Sequence, residues 1–176
     1  IRFAEQSGVI RSSAISDNGH WVYDTTDYGT IEGELGGVVQ EKNTCTVLTA
    51  IRELLSLGYK ITPQAVKTGF AQVTGLTGLM GRWQIIQRDP LIICDTGHHV
   101  GGWEYLSQQL DQTPCHALHI VIGMVNDKDI HGVLKLLPKK AIYYFTNASV
   151  ERALPAEEFA LQASEHGLKG TIHSSV

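Results

Sequence analysis

Cysteine is scarce: Cys45, Cys94 and Cys115 are the only three in 176 residues, an odd number with no CxxC or metal-ligand spacing. A disulfide framework is therefore not expected, and reduced thiols in a cytoplasmic protein are. No apolar run approaches the roughly 18 to 20 residues that cross a bilayer, so no membrane partner is expected. Basic residues are few as well. Fourteen Lys and Arg stand against eighteen Asp and Glu, a net charge of −4, and the densest basic pair, Lys139-Lys140, is too short for a nucleic-acid footprint. Low-complexity tracts, internal repeats and a GxxxxGK[ST] phosphate loop are missing too. The chain opens on Ile1-Arg2 rather than Met, without a signal or transit pattern, and the expectation is a piece of a longer protein.

What is present is globular: 43% hydrophobic and 18% charged residues in a length that suits one domain or two small lobes. From Ile1 to about Gly36 short apolar stretches alternate with turns, and Asn18-Gly19 marks a hairpin. Val47, Leu48, Ile51, Leu54 and Leu55 recur at helical spacing, which predicts a helix over 43–57 with Asn43 as its N-cap and Gly58 as its stop. Thr62-Pro63 opens a second helix. Residues 73–82, with glycines at 75, 78 and 81, read as a connection, so the domains are expected at 1–77 and 78–176. Beyond it strands ("LIIC", "HALHIVIGM", "AIYYFT") alternate with helices (101–111, "IHGVLKLL", "PAEEFALQASEH"). That rhythm predicts an α/β fold: a Rossmann-like, mostly parallel sheet with helices on both faces.

Ligands of open parallel sheets collect at the carboxyl ends of strands, so the polar residues there are the candidates. After "LIIC" come Asp95, Thr96, Gly97, His98 and His99; after "HIVIGM" come Asp127, Lys128 and Asp129. Asp95 suits a ligand hydroxyl or amine equally with a helix cap, and the pair Asp127 and Asp129 suits a helix N-terminus. His98 and His99 are adjacent and lack a third ligand at a familiar spacing, so no metal site is assigned. The three spaced glycines could hint at a phosphate cradle, but the strand–GxGxxG–helix context is missing. Arg82 stands at the hinge, where a guanidinium can reach a phosphate. These residues define a polar rim without naming a reaction.

The segments "GRWQIIQRDPLIICDTGHH", "IVIGMVNDKDIHGVLKLLP" and "RALPAEEF" resemble the carboxyl-terminal domain of the folylpolyglutamate synthase and dihydrofolate synthase family of the Mur ligase superfamily. The upstream "LGGVVQEKNTCTVLTAIRELLSLGYKITPQAVKTGF" looks like the end of that family's central P-loop ATPase domain, so the likeness covers nearly the whole chain. It implies an ATP-dependent, ADP-forming ligase that adds L-glutamate to dihydropteroate or to reduced folates through an acyl phosphate. It also implies Mg2+, held with the P-loop upstream of these residues, and a monomer when full length; this stretch alone is expected to be inactive. Carried over by motif, Asn43, Arg82 and Asp95 are expected at ATP, and His98 near the incoming glutamate and reacting centre.

The likeness has departures. Thr96, Gly97, His99 and Val100 stand where the family's D-G-A-H-N-P motif has glycine, alanine, asparagine and proline. Two alternatives stay open: a murein-precursor amino-acid ligase, and a non-catalytic nucleotide or metabolite binding module.

Overall fold

The structure, a computed structural model, describes residues 2–147 and 149–175. It divides into two compact units, Ile1–Thr96 and Gly97–Val176.

The first unit begins with an antiparallel sheet of β1 (Ile10–Ile15), β2 (Trp21–Thr25) and β3 (Gly29–Gly33), in that order. The expected hairpin turn is there. Gly19 takes a φ of +82, and Asn18 Oδ1 accepts from the His20 amide at 3.0 Å, the local bonding that makes Asn-Gly a turn former. Alternation puts Trp21, Tyr23 and Thr25 on the buried side of β2. The helix α1 (Gln40–Ser56) and α2 (Pro63–Ala71) contribute Leu48 and Val66 to the core, where they pack with Val9, Tyr28 and Ile31. Thr62 caps α2 by accepting from the Ala65 amide at 3.1 Å, with Pro63 first in the helix, as expected. Gly58, at φ +91, follows the end of α1. Asn43 is not an N-cap: α1 starts three residues earlier, after Val39, so Asn43 lies inside the first turns.

The stretch read as a plain connection contains a short helix, α3 (Val73–Thr77), closed by Gly78 in the left-handed conformation. Next comes an antiparallel hairpin, β4 (Gln84–Arg88) with β5 (Leu91–Cys94), turning through a cis Asp89–Pro90 bond. This corrects the placement of "LIIC". Its uniform apolarity suggested a buried parallel strand, yet it pairs with its sequence neighbour, and Leu91 and Ile92 are 47% and 43% exposed. A short apolar run does not reveal its partner, and the Asp-Pro turn three residues from Ile92 favours the local hairpin.

In the second unit β6 (His119–Ile122), β7 (Ile142–Phe145) and β8 (Gly170–Ile172) form a parallel sheet in that order. The α/β class and its crossover helices are as expected, with α4 (Val100–Gln112), α5 (Ile130–Leu136) and α6 (Ala156–Glu165); β8 escaped the sequence reading because it is three residues long. Ile122, Tyr143 and Phe145 pack in one core with Trp103, Val133, Leu134 and Phe159 from the three helices. The opposite face carries His119, Val121 and Ile142, and Val121 is 56% exposed. The expectation of helices on both faces is therefore met on one face among the described residues. Right-handed crossovers between strands added in sequence order put α5 and α6 on the same side.

Two caps hold helix starts in this unit. Asp129 Oδ1 accepts from the Gly132 amide at 2.8 Å at α5, and His99 Nδ1 accepts from the Gly102 amide at 2.9 Å at α4. A ring nitrogen that accepts carries no proton, so His99 bears any single proton on Nε2. His99→Ala is expected to cost about 0.5–2 kcal/mol, as lost caps do, whereas His99→Asn should retain most of the stability; an unchanged urea midpoint for His99→Ala would remove the cap from this account.

Burial pushes the Tyr23 hydroxyl up from 10.0 to about 12, partly offset by its hydrogen bond with Thr44 and reinforced by the Glu41 charge. The raised group favours the neutral phenol in the fold, so its contribution is complete below pH 10 and is lost as the pH climbs through about 12. Thermal melts across that window should fall more steeply for the native chain than for Tyr23→Phe. Equal slopes would refute the assignment.

Candidate functional site

The chain folds a tight turn where β4 leaves the α3 connection. Gly81 has φ +69, and Trp83, a bulky residue, has φ +48 in the left-handed region that side chains avoid. Hydrogen bonds hold it. The Trp83 amide donates to Asp95 Oδ2 at 2.7 Å, the Thr96 amide donates to the Gly81 carbonyl at 3.0 Å, and the Gly81 amide donates to Gln84 Oε1 at 3.0 Å. The β4–β5 pairing delivers Asp95 to this position, since Gln84 lies opposite Cys94. Gly36 backs the turn, where a Cβ would come within 2.7 Å of the Trp83 carbonyl oxygen.

Arg82 projects from the centre of the turn. One Nη1 donates to the Gly81 carbonyl at 3.2 Å and also to Thr96 Oγ1, so the guanidinium is oriented by the residues that close the turn. With Gly36, Leu79, Trp83 and Arg88 it lines a cleft of about 380 Å3. A fork of N–H donors held in place beside a cleft is suited to an anionic oxygen, phosphate above all.

Two of the sequence candidates, Arg82 and Asp95, are thus brought together, and they meet through backbone: Asp95 holds the amide of the residue after Arg82. Asn43 stands apart on α1, exposed, with its Nδ2 donating to Gln40 Oε1 at 3.1 Å. His98 belongs to the second unit, where its ring meets His99 edge-on with centroids 5.1 Å apart. The spaced glycines have structural duties: Gly75 lies within α3, Gly78 ends it, and Gly81 makes the turn. Asp127 pairs with Arg152 at 2.8 Å and Asp129 caps α5. Among the described residues no group of three or more His, Cys, Asp or Glu is placed to hold a metal ion, and no helix is long and apolar enough to cross a membrane.

Sequence reasoning passed over Gly36, Gln40, Trp83, Gln84 and the bonding role of Thr96. Gln40 had one signal, a glutamine three residues before Asn43 on a helix and so on the same face. The others act through backbone positions that become neighbours on folding.

The chain is similar to several known proteins. The dihydrofolate synthase/folylpolyglutamate synthase of Escherichia coli K12 is 32% identical over 126 residues, covering 66% of this chain and 28% of that protein. Among solved structures, a Mycobacterium tuberculosis folylpolyglutamate synthase complexed with ADP and AMPPCP superposes with a TM-score of 0.77 at 25% identity, over 94% of this chain and 38% of its own. A bifunctional folylpolyglutamate synthase/dihydrofolate synthase with Mn, AMPPNP and L-glutamate bound gives 0.61 at 26% identity, over 92% and 37%. The chain therefore spans well under half the length of these relatives. The family model described as Mur ligase, glutamate ligase domain, matches residues 81–176, more than half of the chain. The Arg82 turn opens that match, and the chain belongs to the Mur ligase family by its glutamate ligase domain.

Proposed function

We propose that this chain supplies the glutamate-side part of an ATP-dependent, ADP-forming ligase that adds L-glutamate to dihydropteroate or to the glutamyl tail of reduced folates. The observation that carries the reading is the Arg82 turn, locked by Asp95 and Thr96 at the start of the glutamate ligase match. The relatives named above support the choice of folate over murein precursors, and the ATP analogues and L-glutamate in their structures support both substrates. Residues 1–77 are proposed as the end of the central ATPase domain and 78–176 as the glutamate ligase domain.

The chemistry has two steps. A substrate carboxylate oxygen attacks the γ-phosphorus of ATP, the bond to the β-phosphate oxygen breaks, and ADP leaves an acyl phosphate. The amine of glutamate then attacks the acyl carbon, forms the amide, releases inorganic phosphate and loses a proton. Donors fixed where charge develops, and a site that keeps water from the acyl phosphate, are what such a pathway requires.

Within that scheme Arg82 serves the transferring phosphate, since its guanidinium is already oriented and need not reorganise. Asp95 fixes the turn that aims it, in addition to the nucleotide role implied by its motif. By motif likeness Asn43 is assigned to the nucleotide and His98 to the incoming glutamate. A divalent ion would neutralise phosphate charge in this chemistry; among the described residues no group of three or more His, Cys, Asp or Glu is placed to hold one.

The test is ADP release by the longer enzyme carrying this chain, with dihydropteroate or tetrahydrofolate plus glutamate. Arg82→Ala is expected to lower kcat by about 10²–10³, the usual loss for one transition-state donor. Asp95→Ala should lower it by a smaller factor, with secondary structure retained. Full activity in Arg82→Ala would end its phosphate role, and turnover of UDP-muramoyl substrates without folates would replace the substrate assignment.

A further inference from the structure

His131 stands in the first turn of α5 and His166 is the C-cap of α6. Their rings meet across the two helices: His131 Nδ1 lies 3.1 Å from His166 Nε2, with the centroids 5.4 Å apart. Both backbones are fixed by the second unit. Next to His131 come Gly132, whose amide Asp129 accepts, and the fully buried Val133 and Leu134. The His166 amide donates to the Ala163 carbonyl at 3.1 Å, the Leu168 amide closes back on the same carbonyl at 3.1 Å, and the His166 carbonyl accepts from Lys139 Nζ at 2.6 Å. His131 is exposed and His166 half-buried, so solvent reaches the pair.

Two neutral imidazoles whose nitrogens face one another share a single hydrogen bond, in which one N–H donates to the bare nitrogen of the other ring. The same pair is also half of a chelate. Zinc takes imidazole nitrogen at about 2.0–2.1 Å, so two such ligands at right-angled or tetrahedral positions stand about 2.9–3.4 Å apart. The observed 3.1 Å lies inside that range with both backbones where they are. The rings meet end to end, and a small turn of each about its Cβ–Cγ bond brings the two lone pairs to one point. The shared proton leaves that point through solvent and returns to the outer nitrogen of its own ring. Both rings stay neutral, and two bare nitrogens face the cation.

The surroundings set the strength of such a site. The carbonyl end of α6 carries partial negative charge, which favours a cation beside His166. The Lys139 ammonium on the His166 carbonyl opposes it. With two protein ligands instead of the four of a closed structural site, water completes the shell and the affinity is modest.

We propose that His131 and His166 form a two-histidine site for a divalent cation that prefers imidazole, of the Zn2+ class, which ties α5 to the end of α6. Mg2+, which prefers oxygen ligands, does not compete for it.

The experiment titrates Zn2+, and separately Mg2+, into the longer enzyme carrying this chain, free of any histidine tag, by calorimetry, with thermal melts in the presence and absence of Zn2+. His131→Asn puts an amide near the place of Nδ1, and His166→Gln puts one near the place of Nε2. Each can keep a hydrogen bond across the pair but is a poor zinc ligand. The native enzyme should take up one equivalent of Zn2+ that both variants lose or bind about tenfold or more weakly, by analogy with the losses seen when ligand support is removed. Zn2+ should also raise the melting temperature of the native enzyme more than that of either variant, because a ligand of the folded state stabilises it. Since the substitutions lie on different helices, loss of the same equivalent in both is not the signature of one damaged helix. Three results would overturn the proposal: no Zn2+ uptake by the native enzyme, the native number and affinity of Zn2+ sites retained in His131→Asn and His166→Gln, or Mg2+ lost in parallel with Zn2+ in both variants.

Discussion

The hydrogen bond from the Trp83 amide to Asp95 is the constraint on which the candidate site depends. A non-glycine residue in the left-handed region costs about 1–3 kcal/mol, and a hydrogen bond to a charged group contributes about 1.5–3 kcal/mol. The two are of the same size, so the carboxylate can hold a turn that the backbone alone would not keep. What the turn achieves is direction. It places the Arg82 guanidinium against Thr96 and beside the cleft, where an extended strand would carry the side chain elsewhere.

That constraint is built from pieces far apart in sequence. Asp95 reaches Trp83 because β5 folds back on β4, and Gly36 leaves room for the Trp83 carbonyl because it has no side chain. A substitution at Gly36 would act on the site without touching it, by pushing on the backbone of the turn. The Asp95 carboxylate fixes the backbone next to Arg82, and side chains aimed by their neighbours are what distinguish a preorganised site from a collection of suitable residues.

The second unit follows a different logic. Its three strands advance in one direction, so the crossover helices α5 and α6 lie on one side and share a core with Tyr143 and Phe145. His99 caps α4 as an asparagine side chain would: its ring nitrogen accepts from the Gly102 amide.

Local chemistry was legible directly from sequence. The Asn18-Gly19 hairpin, the Thr62-Pro63 helix start, the left-handed Gly58 and the βα rhythm of the second unit each depend on residues within a few positions of one another, and each is found in the fold. The motif likeness likewise pointed to Arg82 and Asp95 and to the Mur ligase family. Pairing was not legible. "LIIC" could join either of two sheets, the start of α1 lay before its first periodic residue, and the bonds of Gly36, Gln84 and Thr96 to the Arg82 turn had no sequence signature. Turns and caps closed by neighbours along the chain, as at Asn18-Gly19 and Thr62-Pro63, are written locally in the sequence. Which strand faces which, and which backbone amide a carboxylate reaches, is decided by the competition among distant segments for the same partners, and only the folded chain resolves it.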